Sequence, residues 1–381
     1  MKREELSLER QLVLMSAVEM EDSQGEKLKR IMEEGIEWSE VIYQMVTHRT
    51  LNIFRYNLKK FNLFDSMEKE LQRLMNMQWL VFGERNRFYL ERLGEILKEF
   101  EKNKVIVPVL KGNLLASIVY PSIETRIFND LDMLMTLEDV VPVVKALEHL
   151  GYIQGNYQEE KDIIVEVSRK EKVLHQMATH EIHQFLKLSD NKFAKVVEVD
   201  VNHDILWKGN CPYKVATRDL IGRAIPVEIN TVKGYMLDYI DNIIQLCCHL
   251  YKEACLMIWI ASLKDLKIYK FADLHMYIRK FSECIDWALL IERVREYGLE
   301  KIVYYNFYYI ELMFGEIVPQ FVKDQIRPFD LSYLDEYAIE NKEPSKWEFD
   351  FFSRLFDVNR IMNIDQSKAE GMTRFLKAKF G

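Results

Sequence analysis

Two aspartates one residue apart, Asp130 and Asp132, stand inside the apolar stretch FNDLDMLM, Phe128 to Met135. In an extended strand, residues two apart share a face. Both carboxylates therefore point one way, and Leu131, Met133 and Met135 point the other, into apolar packing. Like charges held together in such surroundings are costly, and a divalent cation is the usual compensation. Magnesium suits best, because it takes hard oxygen ligands, typically one or two protein carboxylates together with substrate phosphates. By itself a D-x-D pair is more often a solvated pair on a surface strand or turn.

Two further stretches change that balance. KVVEVDVNHDIL, Lys195 to Leu206, lines up Glu198, Asp200 and Asn202 on one face and Val197, Val199 and Val201 on the other. Alternation alone also describes a half-exposed strand with a polar outer side. Upstream, VLKGNLLA passes from a strand through Lys111 and Gly112 into a helix. Glycine lets backbone N–H groups approach an anion at a helix N-terminus, and the lysine adds charge. Taken alone, this turn serves equally well as a strand end and helix cap. Neither G-x-x-x-x-G-K-[ST] nor G-x-G-x-x-G occurs, which excludes a Walker loop and a dinucleotide fingerprint.

The elements that must position these groups follow from the hydrophobic period. Leu6 to Phe100 recurs apolar at three and four residues and is predicted helical. The period then changes. KVIVPVL (Lys104 to Leu110) is predicted as a buried strand, followed by a brief helix that Pro121 ends, the D-x-D strand, and a helix opened by Thr136. DIIVEVSR, HEIHQFLKL and KVVEVDVNHDIL are three more strand-like segments. A loop-rich connector precedes helices from about Thr231 to Gly315, and residues 316–381 carry no clear pattern. The expected fold class is α+β, a small mixed sheet flanked by N-terminal and C-terminal helical regions. The expected divisions are residues 1–100, 101–225 and 226–381.

Composition narrows the partners. The net charge of −8 argues against a protein that coats long nucleic acid. Five cysteines without a C-x-x-C pair suggest neither a disulfide framework nor a zinc ribbon. No apolar stretch is long enough to span a bilayer, and the N-terminus lacks a signal-peptide pattern, so a cytoplasmic location is expected.

Leu110-Lys111-Gly112, Tyr120-Pro121, Arg126 and DLDMLM occur in that order. This resembles the uncharacterised bacterial nucleotidyltransferase family of the DNA polymerase beta-like superfamily, whose signature runs L-K-G, Y-P, then an arginine shortly before D-x-D-L-L. Weaker matches extend the resemblance from about Trp38 to Gly315: Trp38, His48 and Arg49, then Asp200-Val201-Asn202, then His249-Leu250, Lys252 and Asp273-Leu274. Two positions depart from the pattern. Asn113 follows Gly112 where the superfamily usually has serine or glycine. Asn202 stands where the family often has histidine, which leaves Asp200 or Glu198 as the third carboxylate, Asp200 being favoured.

The resemblance implies a nucleotidyltransferase core and a magnesium-dependent reaction. Asp130, Asp132 and Asp200 would hold one or two Mg²⁺ ions on an NTP, expected to be ATP. Asp200 would also help to deprotonate the acceptor, and Lys111, Gly112, Asn113 and Arg126 would contact the phosphates. AMP would pass to a hydroxyl or similar group on a small molecule or peptide, with release of pyrophosphate. The alternative is a nucleotide-binding or partner-binding module that keeps the fold without turnover. Lys252, Lys264 and Lys267 could reach the nucleotide from the later helices, although solvated lysines are commoner there. His180 and His183, three apart, fall on opposite faces of a regular strand, which argues against a shared metal.

Overall fold

The computed structural model describes residues 3–364. The chain is α+β, with 56% of it helical, and holds a mixed five-stranded sheet with helices on both sides. Five helices come first: α1 (Leu8–Met15), α2 (Gly25–Glu33), α3 (Trp38–Thr47), α4 (Leu51–Lys60) and the long α5 (Lys69–Lys102). Then α6 (Lys111–Ile118) precedes β1 (Leu131–Leu134), α7 (Val140–His149), β2 (Ile153–Gln158), β3 (Ile163–Glu166), α8 (Arg169–Ala178), β4 (Phe185–Leu188) and β5 (Val196–Asn202). The sheet order is β1-β5-β4-β2-β3, with β1 and β5 parallel and the other pairs antiparallel.

The sequence predicts KVIVPVL as a strand, but only Val109 makes a bridge, to Met133. Pro108 has no N–H to give a ladder. Its carbonyl still accepts from Leu134, and the Leu110 N–H donates to Asp132 O. The segment is therefore an extended prop under β1. The expected loop-rich connector contains α9 (Thr217–Gly222) and β6 (Ile225–Ile229), and the expected helical start is β7 (Val232–Met236), paired antiparallel with β6. Asn230 and Thr231 both have positive φ (46° and 68°), the backbone that a two-residue hairpin turn demands. Gly234 lies where a Cβ would stand 3.0 Å from the Leu97 side chain, so the hairpin packs directly on α5.

Helices resume with α10 (Tyr239–Cys255), α11 (Met257–Ala261), α12 (Ile268–Lys280), α13 (Trp287–Glu296), α14 (Glu300–Phe314), α15 (Gln320–Ile326) and α16 (Phe351–Phe356). Gly298, with φ at 65°, breaks the α13–α14 pair. Two large hydrophobic cores result, beside a small third one around Met257, Tyr337 and Trp347. One lies under the sheet, where Leu131, Met133, Val197, Val199 and Val201 meet Tyr89, Leu93 and Leu97 of α5. The other is helical and joins both ends of the chain, from Leu12 through Ile244 and Phe271 to Phe352. Leu134 belongs to that second core, so β1 is gripped from both sides.

A buried polar network joins the two halves. The Tyr120 hydroxyl donates to Asp273 Oδ1 (2.7 Å), while Arg126 donates through Nε to Oδ1 (2.7 Å) and through Nη2 to Oδ2 (2.6 Å). Tyr269 lies under the guanidinium, 4.3 Å from its ring centroid. Nearby, the buried His48 accepts from the Ile268 N–H through Nδ1, which caps the start of α12. Tyr120, Arg126 and Asp273 thus tie the stretch before β1 to α12, and His48 ties the end of α3 to the same helix. Asp273→Asn would leave Arg126 charged and buried without a full counterion. The expected loss is about 3–5 kcal/mol in denaturant unfolding, and Asp273→Leu combined with Arg126→Met should recover much of it.

Candidate functional site

Parallel pairing fixes the acidic face. Asp132 lies opposite Asp200 in the β1–β5 register, and Leu131 opposite Val199. Neighbouring strands lie about 4.8 Å apart, so these two carboxylates are side by side. The two-residue period places Asp130 and Glu198 on the same face, one step toward the start of each strand. Asp200 is thus the lateral neighbour of Asp132, and Glu198 accompanies Asp130. The set the sequence leaves as a choice is a row of four.

Their electrostatics follow from crowding. Burial, then the neighbouring Asp130 charge set against Lys111, raises Asp132 to about 6. Burial, Asp130 and Asp132 raise Glu198 to about 7. Burial, followed by Glu181, Asp130, Glu198 and Asp132, pushes Asp200 well above the ordinary carboxylate range. Lys111 answers them most directly: its Nζ donates to Asp132 Oδ1 at 2.7 Å. Burial works against the Lys111 charge, but Asp132 and then Asp130 more than restore it.

Lys111 has φ at 53°, a left-handed backbone that costs a non-glycine residue about 1–2 kcal/mol. It is the first residue of α6, which packs tightly on the stretch before β1: a Cβ on Gly112 would stand 2.8 Å from Phe128 Cβ. Glycine is required there for contact. Asn113 is buried, its Oδ1 accepts from the Leu114 N–H, and its Nδ2 has no partner. Arg126 lies beside Gly112, its Nη2 within 3.8 Å of the same Cβ position. Its N–H groups are directed to Asp273 and to the Ile127 carbonyl. The phosphate contact that the resemblance implies for Arg126 would need these bonds rearranged.

Sequence reasoning passed over Glu181. Phe185 pairs with Val199, yet Glu181 bridges Asn202 and the Ile182 N–H donates to Val201 O. The pairing slips by one residue between them, which is a β-bulge with His183 as the extra residue. The slip turns Ile182 into the core and Glu181 toward the acidic face beside Asp200. A signal was present: Ile182 and Phe185 are both apolar and three apart, which a regular strand cannot bury on one side. Burial alone would raise Glu181, but His175, His180, Lys252 and Lys111 hold it at about 2.

Across the cleft, Lys252 of α10 donates through Nζ to His180 Nε2 at 2.8 Å. Burial and the Lys111 charge bring Lys252 down to about 8, and burial and Lys252 push His180 well below the usual imidazole range. Lys264 lies near enough to lower Glu198, with its Nζ 5.8 Å from the Trp259 ring centroid. Lys267 stands farther off, its surroundings being Asp265, Arg360 and Arg49.

Among the described residues, no three His, Cys, Asp or Glu side chains form a ready-made metal cage. The donor chemistry nonetheless suits a hard cation that arrives with phosphates: carboxylate oxygens that repel one another, and one ammonium already drawn to them. The repulsion can be tested without any ligand. Glu198 keeps a proton in the folded state up to about pH 7 and loses it near 4.5 when unfolded. Its destabilising contribution is therefore absent below about 4.5 and complete above 7. Glu198→Gln is expected to stabilise the metal-free protein above pH 7, on the order of 1–3 kcal/mol in urea unfolding, with the gain fading as the pH falls to 4.5.

No helix among the described residues is long and apolar enough to cross a membrane. Neither the curated proteins nor the solved structures contain a significant match to the chain. A protein-family comparison does match, over residues 34–315, to a family described as uncharacterised nucleotidyltransferase. That span runs from the first turn before α3 to the end of α14 and takes in the Lys111 turn, the row of carboxylates and Lys252. With most of its length matched, the chain belongs to this nucleotidyltransferase family.

Proposed function

We propose that the protein is a magnesium-dependent nucleotidyltransferase of the cytoplasm that moves a nucleoside monophosphate, AMP from ATP, onto a hydroxyl or similar group of a small molecule or peptide. The observation that carries this reading is the row Asp130, Asp132, Glu198 and Asp200 on two paired parallel strands, with Lys111 bonded to Asp132. Unused carboxylates packed this way only cost stability, so the row points to a divalent cation that binds there together with a phosphate-bearing substrate.

Asp130, Asp132 and Asp200 would hold the Mg²⁺, with Glu198 the remaining carboxylate of the row. The ion supplies charge neutralisation at the phosphoryl oxygens. Asp200 takes the proton of the acceptor hydroxyl on a carboxylate oxygen. The acceptor oxygen then bonds to the α-phosphorus, and the bond from that phosphorus to the bridging oxygen breaks, releasing pyrophosphate. Lys111 and the first amides of α6, with Gly112 and Asn113, attract the negative triphosphate. Lys252 adds a second ammonium from the opposite wall. Arg126 acts through position, holding the stretch before β1 against α12.

A nucleotide-binding module without turnover is favoured by one observation, that Lys111 already occupies an Asp132 oxygen. Incubation with each α-labelled NTP, Mg²⁺ and a metabolite extract separates the two readings. The expected result is pyrophosphate release with label transferred from ATP, reduced at least about 100-fold in Asp132→Asn. Lys252→Met should raise the nucleotide KM about tenfold. MgATP binding without pyrophosphate from any acceptor pool would sink the enzyme reading.

A further inference from the structure

The residues outside the family match build a feature of their own. A cavity of about 320 Å³ opens between α1 and the segment 347–360, and every side chain lining it comes from outside residues 34–315. The two ends of the chain meet here around Phe356: its carbonyl accepts from Gln44 Nε2, and its ring lies 5.2 Å from the Arg10 guanidinium carbon. A volume of this size falls within the range of small-molecule sites, roughly 300–1,000 Å³. It shares no residue with the acidic face.

Its polar groups are unequally satisfied. Arg360 is committed, donating through Nε to Asp265 Oδ2 at 2.8 Å and through Nη1 to the Asp357 carbonyl at 3.0 Å. Arg354 is only 3% exposed and spends Nη2 on Asp335 Oδ1 (2.6 Å), but its buried Nε has no partner. Arg10, on the other wall, finds no hydrogen-bond acceptor for its guanidinium among the described residues. Arg10 is thus the donor open to a ligand, and a guanidinium fork matches a two-oxygen anion in plane. Asp357 also lines the cavity and limits its charge. A flat ligand body has a surface to rest on: Trp347, already stacked by Arg354 at 5.3 Å, and Phe349 at the rim, 47% exposed. Arg354 and Arg360 are neutralised by Asp335 and Asp265, which leaves Arg10 as the guanidinium available to an acid resting against the aromatic faces.

We propose that this cavity binds a small planar molecule bearing a carboxylate or phosphate. The inference does not depend on the reaction assigned to the acidic face. Calorimetric titration of the full chain, at low salt and without divalent ions, uses benzoate and phenyl phosphate as probes. At least one is expected to saturate a single site in the millimolar range or tighter, and the preferred arm tells carboxylate from phosphate. Arg10→Met keeps the apolar stem over Phe356 and should weaken binding at least about tenfold. Phe349→Ala, at the exposed rim, should weaken it without affecting the fold, and Asp132→Asn should bind as tightly as wild type. The proposal is overturned if neither probe saturates below about 10 mM. It is equally overturned if Arg10→Met binds like wild type, or if Asp132→Asn abolishes binding.

Discussion

Mutual repulsion among the carboxylates of β1 and β5 is the constraint around which the molecule is arranged. Parallel pairing brings Asp132 against Asp200, and nothing in the strands themselves relieves the charge. Relief comes from a lysine whose backbone is forced into a left-handed conformation at the start of α6. That strain persists because the surroundings determine it: Leu110 is pinned to β1 by a backbone bond, and Gly112 lies in contact with Phe128.

The scaffold matches the demand. β1 is short, four residues, and would be weak alone, but its two faces enter two different hydrophobic cores. Each core fixes one side of the strand, so the aspartates cannot rotate away from one another. Asn202 adds a cross-strand bond through Nδ2 to the Met133 carbonyl. The Tyr120–Arg126–Asp273 network then sets the sheet against the later helices, which carry Lys252 across the cleft. The motif spaced along the sequence is thus partly chemistry and partly carpentry: Lys111 and the aspartates face the cleft, while Tyr120, Arg126 and His48 hold the walls.

What could be read from the sequence follows the same division. Period-two alternation placed the β5 carboxylates on one face, and it did the same for β1, because both strands pair regularly there. The apolar residues between them are buried as alternation requires. Where pairing was irregular, reading failed. Pro108 stops a β-rich stretch from becoming a strand, and a turn of two left-handed residues hides the β6–β7 hairpin in a segment poor in glycine. Strand β2 and helix α8 also escaped, although Ser168 and Glu171 form a reciprocal cap at the helix start. The partner of Arg126 is Asp273, 147 residues onward, and no local pattern reports such a contact.

The bulge at His183 has a wider meaning. Glu181 and Phe185 are four residues apart, a spacing that regular alternation would place on one face, and the bulge between them turns Glu181 to the other. Loss of one of the two residues 183–184 would remove the bulge and leave regular alternation from Phe185, with Ile182 still in the core and Glu181 still opposite Asn202. The bulge is therefore not what the direction of the carboxylate depends on; what it adds is a local bend and extra twist of the strand where Glu181 meets Asp200.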